Sequence, residues 1–323
     1  MFAAIAGNQI VRRVLGIIGT LLGVSLFVFI MLRAIPGNQI TASLGTNAVD
    51  LTPGQLASLE RYYGIDQPLP VQFFTWLGNV FTGNLGYSFR AQESVVDLTL
   101  RSLPITIELA ILSILTALLI GVPLGTLAAS RTGSIRDGLG QLVSLGGLSI
   151  PVFLLGSVLL AVFALYLGYN PNGLSYAPFF ENPFLNLQQM LMPAVVLGFN
   201  IAAPILRTTR SAVLEVRSQD FVRTARAKGV PPRLLQVRHI LRNALIPIVT
   251  MTSLQFGYLL GGVVVVENIF SLPGIGRQML LSLQQKEYAV AQSTILIIAV
   301  LFVLVNLLTD VLYRAIDPRI RVA

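Results

Sequence analysis

Long apolar blocks separated by shorter polar segments make up most of this chain. The blocks approach or exceed the roughly 20 residues that a helix needs to cross the hydrocarbon core of a bilayer. They predict transmembrane helices at about residues 14–35, 104–129, 142–167, 190–206, 244–266 and 291–313. The first block is longer than the apolar region of a signal peptide and ends in Arg33–Gly37 rather than at a small-residue cleavage site. We therefore interpret it as an uncleaved first span, and expect an all-α membrane fold with six transmembrane helices.

The longest non-spanning segment, residues 37–103, carries two patterns typical of short helices. Thr52 and Gln55 have the spacing of a capping box, with Pro53 at the first helical position. Pro70 opens a second segment with apolar residues at helical spacing. Such amphipathic helices lie either in the headgroup layer or against the spans as a cap, and the sequence favours neither alternative.

The basic residues are concentrated between the fourth and fifth predicted spans. Residues 207–243 hold nine of the 22 Lys and Arg residues but only two acids, Glu215 and Asp220. With six spans, 16 basic residues fall on the side of the chain termini and six on the other side. The positive-inside rule therefore places both termini and segment 207–243 in the cytoplasm, and loop 37–103 outside.

Composition excludes several classes of protein. A mean hydropathy of +0.76 with 11% charged residues lies outside the range of soluble domains. The sequence contains no cysteine and one histidine, His239, so neither a Cys-ligated metal nor a Ser-His-Asp triad is expected. Because the positive charge is concentrated in one inter-span segment, lipid headgroups and cytoplasmic partners explain it better than nucleic acid.

Within the basic segment, residues 218–228 have the pattern of a short helix. Gly229 can adopt the positive φ that ends a helix, and Pro231 and Pro232 prevent its continuation. A second helix then runs toward the fifth span. The pattern predicts either a projecting helical knob joined rigidly to a span or a charged, solvated hairpin.

The sequences Arg223–Gly229 (RTARAKG) and Arg238–Asn243 (RHILRN) resemble the cytoplasmic EAA loop of ABC-importer permeases. The resemblance is greatest to the dipeptide/oligopeptide/nickel branch. Ala225 and Gly229 fit the general pattern, while Arg223 stands in the Glu place and Thr224 in the first Ala place. Arg242 occupies a position that is often Pro. These departures weaken the general match but resemble members of the peptide branch.

Further matches to that branch follow in order along the chain. They are the end of the first span at residues 32–37, the external motifs at residues 63–70 and 83–88, the Leu-Pro-Gly-Ile-Gly run at residues 272–276, and residues 317–321 near the C-terminus. Together they extend the resemblance over most of the chain and imply one permease domain spanning residues 1–323.

The resemblance implies a set of partners and a mechanical role. The partners are a homologous second permease subunit, two ATP-binding subunits and an external substrate-binding protein. ATP and Mg would be bound by the partner subunits, because this chain lacks the GxxxxGK[ST] phosphate loop and is not itself an enzyme. No cofactor or metal is expected in the chain. The expected location is the inner membrane of a bacterial or archaeal cell.

The basic segment then contains the expected coupling contact with an ATP-binding subunit, formed by Asp220, Phe221, Arg223, Thr224, Ala225, Arg226, Ala227, Lys228 and Gly229. Polar residues near the spans are candidates for the solute pathway or for contact with the binding protein: Glu108, Asn200, Gln255, Glu267 and Asn268. Dipeptides, oligopeptides, glutathione, nickel chelates and haem remain open as substrates. The alternative function is an ion-coupled secondary transporter without ATPase partners.

Overall fold

Helices account for most of the chain in the computed structural model. The structure describes residues 2–34, 52, 54–55, 58, 61, 65–88, 90–171 and 175–316; of residues 2–10, 260 and 309–316 it describes the backbone alone. Most of residues 37–64, the first part of the predicted loop 37–103, and the motif at residues 317–321 lie outside the described residues. The described part of the predicted capping box is present: the Thr52 backbone N–H donates to Gln55 Oε1 over 2.8 Å.

The helices and strands follow in this order: α1 (Phe2–Ala34), α2 (Leu69–Phe81), β1 (Tyr87–Ser88), β2 (Glu93–Ser94), α3 (Val95–Ser130), α4 (Ile135–Ser149), α5 (Val152–Leu167), α6 (Pro183–Arg217), α7 (Asp220–Ala227), α8 (Pro232–Leu234), a π-helical segment (Leu235–Leu241), α9 (Arg242–Ile269), α10 (Ile275–Gln284) and α11 (Tyr288–Ile316). Among the described residues, four helices are long and apolar enough to cross a membrane, or up to six if each of two bent helix pairs is one span.

Several helix ends differ from the predicted ones. α3 begins at Val95 instead of near residue 104, and α6 runs on to Arg217 instead of ending at residue 206. The polar residues at these ends suggested loops, but a helix that leaves an apolar layer can continue while its exposed residues become polar. The predicted span 142–167 is divided into α4 and α5, which bend by 102° at Ile150 and Pro151.

The chain divides into two compact units. Among the described residues, the first contains those within 2–104 and 273–304, and the second contains those within 105–272 and 305–316. In the first unit, Val28 and Leu32 of α1 form a buried cluster with Tyr288 and Ala291 of α11. Phe73 of α2 stacks edge-on against Phe29 of α1, with ring centroids 5.3 Å apart. The predicted helix after Pro70 is therefore confirmed, and within its unit it packs on α1.

A short antiparallel hairpin in the first unit is held by a buried carboxylate. Tyr87 pairs with Ser94, and Ser88 with Glu93. The Ser88 hydroxyl donates to both carboxylate oxygens of Glu287 at 3.1 and 3.0 Å, and the Arg90 N–H donates to Oε1 at 3.0 Å. Within the described residues this two-residue ladder is the one departure from the all-helical expectation.

The second unit is built around α6. Its buried residues pack with α3, α5 and α9 into one apolar core, which extends to α7 and the π-helical segment, and α4 also lies against α6. Glycines bring the helices close together: a Cβ on Gly121 would lie 2.9 Å from Ile205 Cγ2, and one on Gly198 would lie 2.7 Å from the Ser113 carbonyl oxygen. The absence of a side chain at these positions lets the helix backbones approach closely.

The bend between α4 and α5 is stabilised by a side chain of α6. Pro151 has no N–H, so the Gly147 carbonyl loses its i+4 helical partner. Asn200 Nδ2 donates to that carbonyl over 2.8 Å. Asn200, which the sequence suggested as a pathway residue, therefore satisfies a backbone group at a helix break.

Candidate functional site

Helix α7 presents two different faces. Val222 and Ala225 are buried in the core that also contains Leu235 and Ile240 of the π-helical segment. The Arg223 and Asp220 side chains are 74% and 95% exposed, and Phe221 is 41% exposed. The exposed face thus combines an aromatic ring with charged side chains, and the buried face fixes the helix to its own chain.

The predicted contact residues divide between these two faces. Asp220, Phe221, Arg223, Thr224, Arg226, Ala227, Lys228 and Gly229 are exposed, as a contact surface requires. Ala225 is buried and belongs to the opposite face, so its expected position is corrected: it packs α7 against the apolar core of its own chain. Val222, which the sequence analysis omitted, is its fully buried companion three residues earlier.

The end of α7 is a Schellman motif. Gly229 has φ +77°, its N–H donates to the Arg226 carbonyl at 3.0 Å, and the Val230 N–H donates to the Ala225 carbonyl at 3.2 Å. These are the two hydrogen bonds that define the motif, and glycine is favoured at this left-handed position. The predicted helix stop at Gly229 is confirmed, and α8 begins at Pro232 as expected.

The return from α7 to the membrane region is continuous. α8 passes into the π-helical segment and then into α9 without an intervening loop. α7 is therefore connected to α9 through packed side chains and to α6 through the two-residue link Ser218–Gln219. The alternative of a loosely solvated hairpin does not agree with the burial of Val222 and Leu235.

Three polar contacts near this helix were missed by the sequence analysis. Arg210 Nε and Nη2 donate to the two carboxylate oxygens of Asp137 at 2.7 and 2.9 Å. Arg217 Nη1 donates to the carbonyls of Ala129 and Ser130 at 2.6 and 2.9 Å. The available signal was Asp137 itself, the single acid between Glu108 and Glu181, which lies close in sequence to Arg131 and Arg136.

Glu108 belongs to a polar cluster that holds the segment between α5 and α6 in place. Its Oε2 accepts hydrogen bonds from the Tyr176 hydroxyl at 3.0 Å and from Asn186 Nδ2 at 3.3 Å. Burial and the Glu108 carboxylate raise the pKa of Tyr176, so this hydroxyl stays protonated and remains a donor. Asn186 also donates to the Ala177 carbonyl. The cluster connects α3, α6 and the segment between α5 and α6.

The remaining pathway candidates lie on α9 in different environments. Gln255 is buried, 9% exposed. Glu267 is fully buried and accepts a hydrogen bond from the Thr106 hydroxyl, so it is not on the surface where contact with another protein was expected. Asn268, the next residue, is exposed. In the part of the chain that the structure describes, no three His, Cys, Asp or Glu residues are grouped as a metal site would require.

Comparisons with known proteins agree with this architecture. The family described as "Binding-protein-dependent transport system inner membrane component" matches residues 121–322, and the family for the N-terminal part of such membrane components matches residues 8–110. The chain is 39% identical over 317 residues to the glutathione transport system permease protein GsiC of Escherichia coli O6:H1, covering 97% of this chain and 99% of that protein.

One further relative and one solved structure extend the comparison. A probable peptide ABC transporter permease protein, y4tP of Sinorhizobium fredii, is 36% identical over 321 residues, covering 98% of this chain and 99% of the relative. The solved structure of the MetNI methionine ABC transporter in inward-facing conformations matches with a TM-score of 0.53 and 19% identity, covering 68% of this chain and 96% of the matched chain. This second likeness concerns the fold alone.

Proposed function

The chain belongs to the binding-protein-dependent transport system inner membrane components, and from this membership we propose how its residues take part in import. It is a multi-pass protein of the bacterial inner membrane and the membrane-spanning subunit of an ATP-driven importer. It forms half of the translocation pathway for peptides or a related small solute. Partners that bind ATP and substrate belong to such systems in general.

In the proposed topology, six spans place both termini and α7 in the cytoplasm. The spans are carried by α1, α3, the bent pair α4–α5, α6, α9 and α11. Support comes from the distribution of basic residues and from the two bent helix pairs, which bring the count of candidate spans among the described residues to six. An ion-coupled secondary transporter is disfavoured because the relatives are permeases of transport systems with separate components.

We assign to the exposed face of α7 the contact with an ATP-binding subunit. The supporting observation is the amphipathic arrangement: Val222 and Ala225 are held in the core, while Phe221 and the charged side chains face outward. A half-exposed aromatic ring among charged residues is a common anchor of protein interfaces. Closure of the ATP-binding subunits would then displace α7 together with α6 and α9, a rigid-body transition at an interface.

The proposed complete importer contains this chain, a homologous second permease subunit, two ATP-binding subunits and an external substrate-binding protein. ATP and Mg would be bound, and ATP hydrolysed, by the ATP-binding subunits. We propose glutathione or another short peptide as the imported solute, since relatives from several bacteria are named for glutathione or peptide transport. Asn268 stays a candidate contact with the binding protein.

Reconstitution of the complex in proteoliposomes tests the coupling assignment. Phe221→Ala and Arg226→Glu are expected to lower both the peptide uptake and the ATPase activity that the loaded binding protein stimulates, because they alter the exposed face of α7. Arg131→Glu makes the same charge change in the turn between α3 and α4 and serves as the control. Uptake and stimulated ATPase activity at the level of the unaltered complex in both α7 variants would refute the assignment.

A further inference from the structure

Two arginines at the cytoplasmic end of α6 form hydrogen bonds with α3 and α4. Arg210 and Arg217 are seven residues apart, about two turns, and therefore lie on one face of the helix. Arg210 binds Asp137 in the first turn of α4, and Arg217 binds the last two carbonyls of α3. The same stretch of α6 thus contacts the end of one helix and the beginning of the next.

The Asp137 carboxylate is held from several sides. Its side chain is 4% exposed, and both oxygens accept from the Arg210 guanidinium in a bidentate arrangement. Oδ2 also accepts the Gly133 N–H at 3.0 Å, and Oδ1 accepts from Gln141 Nε2 at 3.1 Å. A bidentate arginine–carboxylate pair fixes orientation as well as distance. Removing one partner would leave the other charge partly buried and unpaired.

Arg217 caps the C-terminal end of α3. The last carbonyls of a helix have no partner within the helix, and a cation near them interacts favourably with the helix dipole. Arg217 supplies both a hydrogen bond and a positive charge there. It is also the last residue of α6, three positions before Asp220, at which α7 begins.

A proline inside α6 explains why these contacts matter mechanically. Pro204 lies inside the helix six residues before Arg210, and a proline removes one helical hydrogen bond and favours a kink. A force applied to α7 could therefore be absorbed by bending at Pro204. The contacts of Arg210 and Arg217 lie beyond the proline, on the side of α7.

We propose that Asp137, Arg210 and Arg217 form a clamp that transmits displacement of α7 to α3 and α4 and prevents its loss through bending of α6 at Pro204. These three are positioning residues, and the inference rests on the proposed function of α7 as the coupling helix. The clamp makes the cytoplasmic ends of α3, α4 and α6 move as one body. Substrate uptake per ATP hydrolysed therefore depends on it, whereas binding of the ATP-binding subunits does not.

Reconstituted complexes carrying single variants test the clamp. The Arg210→Gln and Arg217→Gln variants are expected to co-purify with the ATP-binding subunits in unchanged proportion. The amount of peptide imported per ATP hydrolysed should fall by a factor of about five or more, where five is the lower limit of the usual coupling between two sites. Arg207→Gln is the matched control, because Arg207 is an exposed arginine of the same helix. Arg210→Lys keeps the charge but loses the bidentate geometry, and should give an intermediate ratio.

Arg217→Gln leaves the buried pair of Asp137 and Arg210 intact, so it tests the clamp without the folding defect that loss of this pair would cause. Uptake per ATP equal to that of the control in both glutamine variants would overturn the clamp. If the unaltered complex itself neither binds the ATP-binding subunits nor imports peptide, the proposed function fails instead. The two failures are therefore distinguishable.

A distance measurement tests the mechanical part without relying on transport. The chain has no cysteine, so spin labels at Ile135→Cys and Glu215→Cys, both exposed positions, report on α4 and α6 specifically within this subunit. In the full complex, the distance distribution should be narrow with the clamp intact and broader with Arg210→Gln, which removes the contact between α6 and Asp137 of α4. Equal widths would show that the clamp does not hold these helix ends together.

Discussion

Gly125→Ala is expected to destabilise the contact between α3 and α6. The new Cβ would lie 2.6 Å from the Leu206 carbonyl oxygen and 2.7 Å from Thr209 Cβ, whereas ordinary contact begins at 3.4 Å. The helices must therefore separate locally by about 0.7–0.8 Å, since a helix carbonyl cannot turn aside. An opening of about 0.5–1 Å forfeits roughly a quarter to a half of the dispersion energy of the atoms concerned.

Two opposing terms set the size of the effect. Overpacking of a well-packed site costs about 1–3 kcal/mol, and the better helix propensity of alanine returns up to about 1 kcal/mol. Because the obstacle is backbone, the cost belongs in the upper part of its range. The net loss in the free energy of unfolding is then about 1–2 kcal/mol.

Titration of the purified subunit in mild detergent with sodium dodecyl sulfate, followed by circular dichroism, measures this loss. Gly146→Ala is the matched control: Gly146 is also helical, and a Cβ there meets nothing within 4 Å. The control should be neutral or stabilised by up to about 1 kcal/mol. Equal free energies of unfolding for the two variants would refute the argument from close packing.

Substitutions at three further positions test other parts of the chain. Gly229→Ala should lower the free energy of unfolding by about 1 kcal/mol, because a Cβ is disfavoured at positive φ, and should raise amide exchange at Val230. Gly229→Asn should lower it by less, and the reverse order of the two variants would contradict the Schellman assignment. Glu287→Ala removes the acceptor of Ser88 and Arg90 at a cost of about 1–3 kcal/mol, so unchanged amide exchange at Arg90 would argue against this anchor. Tyr176→Phe removes a donor to Glu108 and should lower the free energy of unfolding by about 1–2 kcal/mol in the same titration; no loss would mean that the cluster does not hold the segment.

Local features of α7 were predictable because they depend on neighbouring residues. The stop at Gly229 follows from its freedom at positive φ, and the restart at Pro232 from the fixed φ of proline. The buried face was harder to recognise. Phe221 is the larger apolar residue, but Val222 is the one that meets the core, and this depends on how the helix is rotated by its tertiary contacts.

Long-range polar contacts were not predictable from the sequence alone. Asp137 and Arg210 are 73 residues apart, and Thr106 and Glu267 are 161 apart. Asp137 and Glu267 can each be noticed in the sequence, but a charge near the end of an apolar block is usually hydrated, so neither residue indicates a buried partner. Their pairing depends on the rotation and depth of two helices, which a one-dimensional pattern of hydrophobicity does not determine.

The hydrogen bond from Asn200 to the Gly147 carbonyl has an evolutionary consequence. The amide at position 200 compensates for the N–H that Pro151 lacks, so the two positions form one structural unit although they are far apart in sequence. A relative with an N–H at position 151 can close that helical hydrogen bond itself and is released from the need for a donor at position 200. Positions 151 and 200 should therefore vary together among homologues, with the donor retained wherever the proline is retained.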